Sequence, residues 1–158
     1  MKLIPLRGKY GKGKFTLVDN KDFVWASKTK WHAHKNGDSL YARNGKGYKL
    51  HRLILNLEKG GIADHINRNT LDNRRCNLRI TDALGNVKNV GIRKDNSSNF
   101  KGVNFWVTGK KWVARIQVNK KRVFLGYFKT AKEAAKMYNL ASKKYHQEFA
   151  YINHLTKI

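Results

Sequence analysis

Asp64 and His65 stand side by side, Asn77 follows 13 positions after the acid, and Asn86 follows 22 after it. A carboxylate and a carboxamide both present oxygen to a hard divalent cation, so Asp64 and Asn86 are candidate metal ligands. Attack on a phosphodiester at neutral pH needs a base that titrates near 7, and His65 is that residue type. Between them, 67–76 is a polar, turn-rich stretch, Asn-Arg-Asn-Thr-Leu-Asp-Asn-Arg-Arg-Cys. Metal ligands, a base and basic surroundings together point to a nuclease.

The charge supports a polyanionic partner. The 158 residues carry 34 Lys and Arg against 10 Asp and Glu, a net of +24. Such a field attracts nucleic acid and opposes compaction without it. Residues 1–59 carry a net +10, 60–98 only +3, and 99–158 +11. The segment with the chemistry is nearly balanced, and the flanks carry the charge. The basic residues are not confined to one amphipathic helix, which argues against a membrane surface. The single Cys76 excludes an internal disulfide and a multi-cysteine zinc site. The apolar stretch after Lys2 is broken at Arg7, so neither a signal peptide nor a membrane span is expected, and the expected location is cytoplasmic.

The elements that must position these residues are short. Residues 14–18 alternate as a strand, and Asp19 suits the cap of a helix through Ser27 with Asp22 in its first turn. Residues 31–35 and 39–43 flank Asn36-Gly37-Asp38, a hairpin signal, and 44–47 form a second turn. Trp25 and Trp31 are expected in the core. Residues 48–57 are apolar, interrupted by His51-Arg52. Then come a strand at 62–66, the long loop, a strand at 77–80, and a helix at 82–90 capped by Thr81 and carrying Asn86. Folded back, this outline brings Asp64, His65 and Asn86 together. Residues 91–99 read as a linker between a domain at 1–90, with its motif core at 62–90, and a second at 100–153.

The second domain reads as strands at 101–107, 111–118 and 121–127, followed by a helix over 131–147 opened by the capping box Thr130–Glu133. Ala134, Tyr138, Ala141 and Tyr145 share the helical face expected to pack. On the middle strand Trp112, Ala114, Ile116 and Val118 share one face. A two-residue turn at Asn119-Lys120 sets Ile116 opposite Val123 and Ala114 opposite Leu125. The other face then pairs Gln117 with Arg122 and Arg115 with Phe124, and Asn104 and Trp106 extend it. Arginine, glutamine, asparagine and aromatic rings on a solvated sheet suit base edges in a major groove; an ordinary polar outer face would look the same.

The block from Asp64 to Asn89 resembles the HNH homing-endonuclease family, in the branch with Asp-His-Ile and then Asn-Leu-Arg; here these are 64–66 and 77–79. The resemblance implies a ββα-metal fold in which Asp64 and Asn86 hold one divalent ion, magnesium first and manganese second. It implies that His65 takes a proton from water and that Asn77 braces the loop and orients His65. Asn67 and Arg68 stand where the family usually has Asp and Gly. The turn there often needs positive φ, and Asn67 or Asn69 is expected to absorb it, leaving Arg68 for phosphate. Arg52, Arg74 and Arg75 are further candidate DNA contacts, with Arg79 beside the active site, although a solvated charge run would look the same; His51-Arg52 is open between touching phosphate and packing against the nuclease hairpin. Residues 99–153 resemble the plant ethylene-response-factor DNA-binding domain, through Phe100-Lys101-Gly102-Val103, 111–116, Leu125-Gly126-Tyr127-Phe128, 130–135 and Tyr151-Ile152-Asn153. That resemblance implies groove-facing roles for Lys101, Asn104, Trp106, Arg115, Gln117, Arg122 and Phe124. HNH nucleases of phages and mobile elements often carry such a domain.

The expected molecule is therefore α+β: a ββα-metal core behind a small β-rich segment, then a three-stranded antiparallel sheet on one helix. Its expected activity is metal-dependent hydrolysis of double-stranded DNA in a bacterial or phage-infected cell. A DNA-binding regulator with a degenerate nuclease core is the alternative, and an RNA-binding protein the third reading. Target sequence, nicking against double-strand cutting, and monomer against homodimer are not legible. His32 and His34 alternate on a strand without a third ligand in sight.

Overall fold

The computed structural model describes residues 1–82, 89–92 and 95–156. The chain is a mixed α+β protein that divides into two compact units, Met1–Ala83 and Leu84–Ile158.

The first unit is built on four strands: β1 (Lys2–Arg7), β2 (Phe15–Val18), β3 (Trp31–Asn36) and β4 (Ser39–Asn44). Their order is β2-β1-β3-β4, with β1 antiparallel to β2 and parallel to β3. β1 carries little sequence signal because Lys-Leu-Ile-Pro-Leu-Arg alternates weakly; in the sheet Ile4 and Leu6 turn inward while Leu3 is exposed. The hairpin β3–β4 closes through Gly37-Asp38, in the register Asn36 opposite Ser39. Helix α1 (Asn20–Ala26) starts after Asp19, whose carboxylate makes no cap and instead accepts from the Arg75 backbone N–H at 2.8 Å. Trp31 is buried and donates Nε1–H to the Ala26 carbonyl at 2.9 Å. Trp25, expected inside, is 37 % exposed, because α1 turns Asp22 and Ala26 inward.

The apolar run 48–57 becomes a short helix, α2 (Leu50–Ile54), which buries Leu50, His51 and Ile54. It joins Ile4, Leu6, Val18, Trp31 and Leu78 in one core. Burial of each large aliphatic side chain there stabilises by about 1.5–3 kcal/mol. Asn56, at φ +48°, turns the chain out of α2, and Arg52 closes the following loop with Nη1 on the Gly61 carbonyl at 2.6 Å and Nη2 on that of Glu58 at 2.5 Å. Strand β5 (Ile62–His65) then pairs antiparallel with β6 (Leu78–Thr81). Thr81, expected as a helix cap, is the last residue of β6; most of the helix expected at 82–90, with Asn86, lies outside the described residues.

The second unit packs β7 (Val103–Trp106), β8 (Lys111–Val118) and β9 (Lys121–Phe128) on helix α3 (Ala131–His146). The Thr130–Glu133 capping box forms in both directions at 3.2 Å. Gly102, at φ +75°, sits where a Cβ would lie 2.3 Å from the Tyr138 ring, so only glycine lets this backbone lie on the helix. The buried stripe of α3 runs through Ala134, Tyr138 and Ala141 as expected, but ends on Ser142 and His146. His146 is drawn inward by a 2.8 Å hydrogen bond to the Gln117 carbonyl, and Tyr145 is left 41 % exposed. Within the stretch read as a linker, Ser98 places its hydroxyl 2.7 Å from the Val103 carbonyl and accepts from the Phe100 N–H at 3.1 Å, which fastens it to this unit.

Candidate active site

The β5–β6 register sets Asp64 opposite Arg79 and His65 opposite Leu78. The twelve-residue span 66–77 that joins the strands carries little to bury, so it is held by polar ties. Leu17 on β2 donates to the Leu71 carbonyl and accepts from the Asn73 N–H, each at 2.8 Å. The Thr70 hydroxyl reaches the Leu40 carbonyl on β4 at 2.5 Å. Asn77 spans the loop: its Oδ1 accepts from the Asn67 N–H at 2.9 Å, and its Nδ2 donates to the Asp72 carbonyl at 2.8 Å.

Positive φ falls at Arg68, +64°, and not at Asn67 or Asn69. Both asparagines are occupied otherwise: the Asn67 side chain accepts from the Asn69 N–H and donates to Asp72, and that of Asn69 accepts from the Leu71 N–H. The strain therefore lands on the residue that replaces glycine.

His65 is buried, and its tautomer follows from a chain of donors. The Thr16 hydroxyl donates to the Leu71 carbonyl at 2.9 Å, so its oxygen accepts from Asn73 Nδ2 at 2.6 Å. Asn73 Oδ1 therefore faces His65 Nε2, at 3.1 Å, and that nitrogen carries the hydrogen. The lone pair of the neutral ring lies on Nδ1. Burial lowers the His65 pKa, against the raising effects of Asn73, Asp64 and Asp72, so the ring is neutral at pH 7. His51 stands edge-on to His65, centroids 5.0 Å apart at 82°, with Tyr41 5.6 Å from His51. Burial takes His51 down to about 3, and the neighbouring His65, Lys49 and Arg52 add to it. The sequence marks none of Thr16, Asn73 or Tyr41 as a site residue; His51, open between a phosphate contact and packing on the nuclease hairpin, is buried against His65. Asn73 sits in a run of polar loop residues with no periodicity, and its partner Thr16 is 57 positions away.

Asp64 is buried and receives Arg79 through Nε at 2.9 Å and Nη2 at 2.6 Å, both on Oδ2. Among the described residues no group of three or more His, Cys, Asp or Glu is arranged to hold a metal ion, His32 and His34 included. Asn86 lies outside the described residues.

Three more of the arginines expected on DNA are held by the protein itself, as Arg79 is by Asp64. Arg74 forks onto Asp72 at 2.7 and 2.6 Å, Arg75 onto Asp22 at 2.9 Å twice, and Arg52 onto loop carbonyls. Each carboxyl is pulled below its usual range by its arginine first. Arg68 is exposed at the loop tip.

On the second unit, Asn104, Trp106, Arg115, Gln117, Arg122 and Phe124 are all exposed, with Arg115 opposite Phe124 and Gln117 opposite Arg122 as expected. Lys101 differs: its ammonium donates to the Val90 carbonyl and lies 5.0 Å over the Tyr151 ring, a residue of the helix-side core, so it leaves this face. Ala114 pairs with Gly126 instead of Leu125, because a bulge intervenes between Ala114 and Arg115. That extra residue turns Tyr127 outward, where its ring meets those of Trp106 at 5.1 Å and Phe124 at 5.0 Å. Beneath these rings Val113 is buried on an otherwise solvated face.

No known family profile matches the chain, and no solved structure matches it. It is similar to an uncharacterized HNH endonuclease of Acanthamoeba polyphaga mimivirus, 33 % identical over 146 residues, covering 89 % of this chain and 75 % of the relative. That coverage exceeds what either unit supplies, so the similarity extends over both.

Proposed function

This chain belongs to the HNH endonuclease family, and from that membership we propose that it is a metal-dependent endonuclease of the homing type acting on double-stranded DNA. The observation that carries the reading is the buried, neutral His65 with its lone pair set on Nδ1, directly beside Asp64. In this reading His65 takes the proton from the attacking water. Asn77 holds the ends of the loop so that the imidazole keeps its orientation, and Asn73 keeps the tautomer.

By the family resemblance Asp64 and the carboxamide of Asn86 would hold a hard divalent ion, magnesium or manganese, whose preference is for oxygen donors. The Asp64 carboxylate already holds a cationic group at 2.6 Å, so positive charge suits the position. Bound there, the ion would supply charge stabilisation for the departing 3′ oxygen. Residues 100–153 serve in this reading as an ethylene-response-factor-like domain that lays Asn104, Trp106, Arg115, Gln117, Arg122 and Phe124 against base edges. Residues 1–90 serve as the nuclease domain.

The test is supercoiled plasmid carrying a target site, incubated with the protein in Mg²⁺ or in EDTA, beside His65→Ala. The expected result is metal-dependent nicking, reduced by roughly 10²–10⁴-fold in the variant with DNA affinity retained. Binding without cutting in every metal would favour a DNA-binding regulator.

A further inference from the structure

Among the described residues, three acids of the first unit hold arginines, and one pair is built differently. Arg74–Asp72 and Arg75–Asp22 are forks, two nitrogens on two oxygens, that fasten the long loop. Arg79 brings both nitrogens to a single oxygen of Asp64, from the facing position of the same hairpin. This pair's arginine is also the most enclosed of the three, 14 % exposed against 32 % for Arg74 and 41 % for Arg75, while all three carboxylates are buried, Asp64 at 9 %, Asp72 at 4 % and Asp22 at 2 %.

We propose that Arg79 is a charge-exchange residue: it holds Asp64 in the metal-free protein, a divalent cation displaces it, and the displaced guanidinium binds a non-bridging oxygen of the scissile phosphate. This rests on Asp64 as the metal ligand. With Arg79 on Asp64 the enclosed pair is neutral. A divalent ion on Asp64 together with a displaced guanidinium leaves an excess of two positive charges in a site largely closed to water, which disfavours metal binding by the free protein. A phosphate arriving beside them relieves that excess. Metal and DNA then favour each other's binding, by the same factor in each direction. The planar fork of Arg79 suits a phosphate oxygen pair better than it suits one carboxylate oxygen.

The experiment is Mn²⁺ titration, read by electron paramagnetic resonance without DNA, on the wild type, Arg79→Gln and Asp64→Asn, each checked for a cooperative melt. Arg79→Gln should bind Mn²⁺ about 10-fold more tightly than the wild type, a typical coupling factor, and Asp64→Asn should lose the site. Equal or weaker binding by a folded Arg79→Gln, with binding still lost in Asp64→Asn, overturns the exchange and leaves Asp64 as the ligand. Unchanged binding in Asp64→Asn removes the metal reading itself. The wild type offers a readout that no folding defect can disturb: phenylglyoxal modification of Arg79, followed by mass spectrometry. Mn²⁺ should speed modification of Arg79 several-fold and leave Arg74 unchanged; no change at Arg79 refutes displacement. At saturating Mn²⁺, Arg79→Gln should nick more slowly and Arg79→Lys should recover part of the rate. Full-speed nicking by Arg79→Gln refutes the phosphate contact.

Discussion

Arginine does opposite work in the two units. Around the β5–β6 loop, Arg74, Arg75 and Arg79 lie on Asp72, Asp22 and Asp64, and Arg52 on carbonyls. On β8 and β9, Arg115 and Arg122 stand exposed beside Gln117 and Phe124. The difference follows from local composition. Residues 60–98 hold four acids among seven basic residues, and folding brings Asp22 of α1 to them, whereas 99–158 hold two acids among thirteen basic residues. Where acids are at hand, a guanidinium fork becomes architecture for a loop too polar to pack. Where they are scarce, and an apolar core already holds sheet to helix, the arginines are left facing solvent. A basic residue near a candidate site is therefore weak ground for a DNA contact until its local acids are counted.

That contrast breaks most visibly at Asp72. Asp72→Ala removes the acceptor of Arg74 and of Asn67 and should cost about 2–3 kcal/mol, because charged hydrogen bonds are lost while the arginine stays partly solvated. Denaturant unfolding would read it, and a change below 0.5 kcal/mol would show that the loop does not depend on the fork. Acid should also affect the first unit. The folded values of His51, about 3, and of His65 lie below the unfolded value of about 6.5. The unfolded chain therefore takes up protons that the folded unit refuses. Stability from the neutral rings is complete above pH 6.5 and declines as pH falls towards 3. Asp22 and Asp72, lowered by their arginines, lose their contribution only below about pH 4. Melting followed by circular dichroism at pH 8 and pH 5 should show the decline, smaller in His51→Phe.

At Arg115 the opposite pattern is expected. Arg115→Ala should leave the melting temperature unchanged and relax sequence preference by about 1–3 kcal/mol, read by competition between duplexes at fixed salt. An unchanged preference with a lowered melting temperature would assign Arg115 to architecture as well. The smallest effect is at Arg68. Glycine adopts φ +64° without Cβ strain, so Arg68→Gly should stabilise the unit by up to about 1 kcal/mol, while a lower affinity for DNA would assign its guanidinium to phosphate.

The chemistry-bearing pair Asp64-His65, the hairpin β3–β4, the strands β5 and β6, and the sheet-on-helix plan of the second unit were legible because each depends on local rules: period-two alternation, Gly-Asp at a turn, a capping box. β1 and α2 were not legible, since six and five residues hold too little periodicity to distinguish strand, helix and apolar loop. One bulge at Ala114 reversed the faces of Tyr127 and Phe128, although Gln117–Arg122 and Arg115–Phe124 paired as the turn demanded. Asn73 was hidden for another reason: its meaning depends on Thr16, far off in the chain, and on His65 arriving between them.

By itself the sequence determined the types and order of the reactive groups, the net charge and its distribution, and the local elements, because those depend on residues that are neighbours in the chain. Only the tertiary structure decided which nitrogen of His65 bears the proton, which arginines are occupied, and which side of the sheet Tyr127 joins. Each of those outcomes depends on a partner brought close by folding, and the spacing of residues along the chain does not encode that approach.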